Sequence, residues 1–169
     1  MLRDIEREIN MAKDNKGAGN VLCALGLMAY TEFMGSLMET TKKLSSKETF
    51  NKFFKYIGQE YSDLLEKEKI YVIFRCGLAH EYFIKETCTI AMLNSTEGIL
   101  EVKGQVKSSY IDKPVKCGII KADNGSFLMV IEKYYLDFRI ACERLLKDLQ
   151  TKQDNWTPPK QYPYISDSG

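Results

Sequence analysis

The chain has 169 residues, of which 44% are hydrophobic and 28% charged, and its 24 basic and 23 acidic residues leave a formal net charge of +1. A globular chain of this length buries roughly 70% of the surface that its unfolded form exposes and needs no staples. Its charge balance excludes a global pull toward nucleic acid, so any RNA-binding face must be local.

The cysteines Cys23, Cys76, Cys88, Cys117 and Cys142 are odd in number and form no Cys-x-x-Cys pair, and the chain has one histidine. That excludes a zinc-finger ligand set and points to reduced thiols in a cytoplasmic protein, with no metal and no cofactor expected.

The opening residues "MLRDIEREIN" are charged and amphipathic and lack the apolar core of a signal peptide. Over residues 2 to 14, Leu2, Ile5 and Ile9 recur at helical spacing. "KGAGN" reads as a turn whose Asn20 can cap the helix that follows, predicted from Val21 to about Leu44. Within it, "NVLCALGLMAYTEFMGSLM" carries a single charge, Glu32, and is long enough to prompt a membrane reading. A central carboxylate costs roughly 2.5–3.5 kcal/mol there, and Asn20, Thr31 and Ser36 add polar groups, so a buried helix is expected and no membrane span.

"SSKE" has the Ser-x-x-Glu form of a capping box and opens a helix with Phe50, Phe53, Phe54 and Ile57 on one stripe, ending near Gly58. A short helix through Tyr61, Leu64 and Leu65 follows. The segment "KIYVIFRCGLAHEYF" then places Ile70, Phe74 and Leu78 four apart, as a helix requires. After Phe83 the period changes: "TCTIAML" and "GILEVKG" read as strands, and "KCGIIKADNGSFLMVIE" as a hairpin whose Asn124-Gly125 pair suits a type I′ turn. Helical spacing returns with Tyr134, Phe138, Ala141, Leu145 and Leu149. The proline-rich tail from 152 to 169, with Trp156, Tyr162 and Tyr164, reads as a non-helical arm.

The expected fold is mainly α: an antiparallel helical bundle over residues 1–151, with a small antiparallel sheet inserted at about 87–131, before the last helix. No glycine-rich phosphate loop is present.

The one histidine, His80, lies in "RCGLAHEY", five residues after Arg75 and two before Tyr82. An imidazole can take a proton from a ribose 2′-hydroxyl or give one to the leaving oxygen. An arginine fork can hold the phosphate and stabilise the charge that develops on it. In a straight α-helix, five residues turn His80 about 140° away from Arg75. Either the helix loosens near Gly77 to Ala79, or the two groups meet across a dimer.

This segment resembles the R-x4-6-H signature of HEPN domains, and, as R-x4-H-x-Y, the subset of HEPN toxins paired with a nucleotidyltransferase antitoxin. The resemblance implies a homodimer with facing motifs, a metal-independent ribonuclease site on Arg75 and His80, and Tyr82 as the tyrosine the antitoxin modifies with AMP. Where many active members carry a polar residue after the arginine, frequently Asn, this chain has Cys76, and a thiol replaces an amide poorly.

Glu32, a lone charge on an apolar helix, needs a partner, and Arg75 is the natural one: as an orienting group, or as an ordinary buried ion pair. Lys42, Lys43, Lys47, Lys52 and Lys55 make a basic run that is either a solvated face or the local RNA surface. Structural readings stand beside these: His80 as a capping or surface residue, Arg75 paired with Glu32 or Glu81, Tyr82 as core filler. Rivals to the ribonuclease are a non-catalytic HEPN-like module that binds in the same groove, and a scaffold that assembles through its sheet and C-terminal arm.

Overall fold

The hydrophobic pattern folds into six helices and three strands over the residues that the computed structural model describes, which are 2–14, 16, 19–38, 43–81, 88–92, 116–122 and 124–151. The helices are α1 (Leu2–Lys13), α2 (Asn20–Leu37), α3 (Ser46–Ile57), α4 (Gln59–Lys67), α5 (Tyr71–Glu81) and α6 (Ile131–Thr151). The strands β1 (Cys88–Ala91), β2 (Ile119–Lys121) and β3 (Phe127–Val130) all precede α6, so the chain is mainly helical with a small sheet before its last helix. No described helix is long and apolar enough to cross a membrane.

One core runs through the described helices. Ile5 and Ile9 of α1, Leu27 and Met28 of α2, the α3 stripe Phe50, Phe53, Phe54 and Ile57, and Ile70, Phe74 and Leu78 join Tyr134, Phe138, Ala141 and Leu145 of α6. The sequence pattern singles out each of these positions but Leu27 and Met28, which it places only within a buried helix. The α3 cap also forms as "SSKE" predicts: Ser45 accepts from the Glu48 backbone, and the Glu48 side chain accepts from the Ser45 backbone, a pair of bonds that satisfies two orphan amides.

Two close approaches depend on glycine. A Cβ on Gly35 of α2 would overlap the backbone carbonyl of Thr49 on α3. One on Gly118, just before β2, would run into the backbone of Tyr134 on α6.

Several expectations are corrected. Helix α2 ends at Leu37, short of Leu44, and Lys52 Nζ donates to the Met38 carbonyl at its C-terminal end, 3.1 Å away. Asn20 is the first helical residue and caps nothing; its amide donates to the Ile90 carbonyl of β1 at 3.3 Å, tying helix to sheet. The hairpin β2–β3 is antiparallel as predicted, but its turn differs. The Gly125 N–H donates to the Ala122 carbonyl, so Gly125, at φ +83°, is the last residue of that turn and not half of a two-residue type I′ loop.

The sheet is mixed, not antiparallel. Its order is β1-β3-β2, and β1 pairs parallel to β3, with Cys88 opposite Phe127 and Ala91 opposite Val130. The reason lies in β3, whose four residues "FLMV" are all buried. Phe127 and Met129 face the main core, while Leu128 and Val130 pack with Ala91 and Ile120 on the other side. A strand covered on both faces takes the central place, and a parallel neighbour leaves no turn signal beside it. The expected strand at 98–104 and the arm at 152–169 lie outside the described residues.

Candidate functional site

Helix α5 carries the motif, and its register differs from the α-helix assumed above. Val72 and Ile73 both donate to the Lys69 carbonyl, at 2.9 Å each, closing a tight first turn. From Tyr71 to Glu81 the helix is of the π type, in which each N–H reaches back five residues rather than four. Residues five apart therefore stack on one side, as residues four apart do in an α-helix. Arg75 and His80 are such a pair. The loosening expected near Gly77 to Ala79 extends through the whole helix, and the 140° separation does not apply.

Arg75 is held from α2. Its Nε donates to Glu32 Oε2 at 2.9 Å, and the two side chains are 22% and 21% exposed. This is the partner proposed for Glu32 from sequence. The bond uses only Nε, so among the described residues the terminal nitrogens of the guanidinium stay uncommitted. His80 is exposed near the end of α5, and among the described residues no hydrogen bond or ion pair engages it.

Cys76 is half-buried on α5, close enough to Tyr71 to act on its phenol. Burial pushes the Tyr71 phenol above its ordinary value; the Glu32 carboxylate and Cys76 add to the shift, and the Arg75 charge opposes it. Tyr71 thus belongs to the same cluster, although sequence reading missed it. Its only signal was its spacing of five to Cys76, the same as from Arg75 to His80.

Tyr82 and Lys42 lie outside the described residues. Lys43, Lys47 and Lys55 are exposed. Lys52 is half-buried and engaged at the end of α2, so it serves the α2–α3 junction rather than an open basic face.

All five cysteines are free. Burial raises Cys23 and Cys117 to about 11, and Cys88 and Cys142 to about 12, which leaves these four thiols poor nucleophiles at neutral pH. Among the described residues no three histidine, cysteine, aspartate or glutamate side chains gather where they could hold a metal ion.

A second buried network holds the sheet to the helices around the site. Tyr61 of α4 accepts from the Gly118 N–H at 2.9 Å and donates to Asp137 Oδ2 at 2.7 Å, and Lys133 Nζ sits 2.6 Å from Asp137 Oδ1. Thr31 of α2 donates to the Leu27 carbonyl at 2.8 Å. Its single proton is thereby used, so in its 2.8 Å contact with Tyr134 the tyrosine is the donor.

No family model, curated protein or solved structure matches the chain.

Proposed function

We propose that the chain is a HEPN-like helical-bundle protein that cleaves RNA without a metal, with Arg75 and His80 as its catalytic pair. The observation that supports this best is the register of α5, which stacks His80 on the Arg75 side while Glu32 steadies Arg75 through Nε. An arginine oriented in this way, its terminal nitrogens uncommitted among the described residues, can present them to a scissile phosphate. An exposed imidazole can reach a substrate proton.

The chemistry is an internal transfer. His80 takes the proton of a ribose 2′-hydroxyl, and the 2′-oxygen attacks the adjacent phosphorus. Arg75 stabilises the negative charge on the phosphoryl oxygens. The 5′-oxygen leaves with a proton, giving a 2′,3′-cyclic phosphate and a 5′-hydroxyl end. One chain offers one imidazole, so a symmetric homodimer would supply base from one copy and acid from the other. Leu22 and Phe33, eleven apart on α2 and hence on one side of it, are 69% and 52% exposed and offer an apolar surface for that association. In the same reading a nucleotidyltransferase partner would silence the protein by modifying Tyr82.

A second reading is a non-catalytic HEPN-like module that binds in the same groove. Cys76 favours it, because a thiol in this place offers the substrate no amide.

The deciding experiment is cleavage of a mixed RNA pool in EDTA by wild type, His80→Ala and Arg75→Ala. Cutting by wild type alone supports the ribonuclease. Equal inertness of all three over a broad substrate range overturns it in favour of the binding module.

A further inference from the structure

Helix α6 has two apolar sides. Tyr134, Phe138, Ala141 and Leu145 are buried in the core. On the side turned away from it, Leu136, Ile140 and Leu146 are 42%, 49% and 57% exposed. The outer face of a surface helix is ordinarily polar, and apolar residues gathered there mark an interaction surface. Between the two leucines, on the same side, lie Arg139 and Glu143, with side chains 43% and 65% exposed. Their contact along the helix, Nε to Oε1, is 3.8 Å, beyond hydrogen-bond reach, so it holds neither charge firmly.

Positions 136, 139, 143 and 146 are spaced three, four and three apart, as the a and d positions of a coiled-coil seam are. On an α-helix they fall within about 80° of one another. The seam is also self-complementary. From either end its order is leucine, charge, charge, leucine, and the two charges are opposite in sign. Laid antiparallel on a copy of itself, about a two-fold axis at the level of Ala141, it sets Leu136 against the copy's Leu146 and Arg139 against the copy's Glu143, each contact occurring twice. Ile140 flanks the axis and meets its own copy. Laid parallel, the same seam would set arginine on arginine and glutamate on glutamate, which electrostatics opposes.

We propose that the outward stripe of α6 is a self-association surface, on which a second copy of this chain packs antiparallel through Leu136, Arg139, Glu143 and Leu146. The surface is separate from the exposed residues of α2, since α2 meets α6 on its core side, where Thr31 contacts Tyr134. It does not depend on ribonuclease activity. Alone it builds a dimer; with a second self-associating surface on α2 it builds a tetramer or a longer assembly.

Sedimentation velocity at micromolar concentration tests the proposal. Wild type is expected to run at a multiple of the single-chain mass. Arg139→Glu, or Glu143→Arg, sets like charges opposite each other twice and is expected to weaken the contact about a hundredfold. The mass then falls to that of one chain, or to that of a dimer if α2 also joins two copies. An equal mixture of the two variants recovers the wild-type mass, because every carboxylate in the seam then faces a guanidinium. The double variant Arg139→Glu/Glu143→Arg recovers it alone. Both positions are exposed, so the variants keep the wild-type thermal unfolding.

A wild type that runs as a single chain, as it would if another protein or another part of the chain covered the stripe, overturns the proposal. So does an assembly whose mass neither single variant lowers, which would place the contact elsewhere. Single variants that dissociate but do not recover on mixing overturn the antiparallel packing.

Discussion

Arg75 and Glu32 are 43 residues apart in sequence, and their 2.9 Å ion pair joins α5 to α2 at a depth where each side chain keeps about a fifth of its exposure. That depth decides its energetic weight. A fully exposed pair contributes little, and a fully buried one struggles to offset its own desolvation. At one-fifth exposure the coupling between the two residues is expected to be about 1 kcal/mol. A double-mutant cycle of Glu32→Gln and Arg75→Gln, read by urea unfolding, measures it. A coupling of zero would mean that Glu32 holds Arg75 in place without contributing stability.

Gly35 and Gly118 admit no side chain. Gly35→Ala pushes a methyl group into the Thr49 carbonyl, and Gly118→Ala pushes one into the Tyr134 backbone. Neither obstacle is a flexible side-chain end that could step aside. Each substitution is expected to cost about 3 kcal/mol, the upper part of the overpacking range, and thermal unfolding of the purified variants checks it.

Tyr61→Phe keeps the ring in the core but leaves the Gly118 N–H buried without an acceptor and takes a donor from Asp137. The expected loss is about 2 kcal/mol. Hydrogen exchange gives a local readout as well: the Gly118 amide should exchange faster in the variant, while amides in α1, on another part of the core, are unchanged.

Alkaline pH should unfold the protein through its buried thiols and phenols. Cys23 and Cys117 are raised from 9.0 to about 11, Cys88 and Cys142 from 9.0 to about 12, and Tyr61 and Tyr134 lie above their ordinary value of 10.0, all mainly by burial. Each group is neutral when protonated, and the folded chain keeps protons that the unfolded chain has already lost. The stability these groups contribute is full below the unfolded thiol value of 9.0 and is lost as pH climbs through the folded values. Urea midpoints should be flat to about pH 8 and fall steeply by about pH 10.5. Replacing Cys142 by Ala should make that fall shallower.

Local chemistry was legible in the sequence wherever a pattern had one physical meaning. The α3 stripe of Phe50, Phe53, Phe54 and Ile57, the Ser45/Glu48 capping box and the β2–β3 hairpin all followed from spacing. So did the partnership of Glu32 with Arg75, because a lone carboxylate on an apolar helix needs a cation.

Two features were not legible, for different reasons. The direction of β1 depends on a partner 39 residues later, Phe127 opposite Cys88, and a parallel pair has no turn to betray it. The register of α5 was hidden because Ile70, Phe74 and Leu78, four apart, fit an ordinary helix well. Only the pairs Tyr71/Cys76 and Arg75/His80 disagree with that period, and two polar pairs do not outweigh an apolar stripe when helix type is read from hydrophobicity.

The bond from Tyr134 to Thr31 spans 103 residues and closes the core from its far end. At the pace of translation, on the order of ten seconds pass between the emergence of Thr31 and that of its partner. For that interval the faces of α2 and α3 that α6 will cover, Phe53 among them, stand open to water and to other chains. The nascent protein therefore depends on its last helix to finish folding, and a ribosome stalled before residue 131 would hold a sticky intermediate rather than a smaller stable fold.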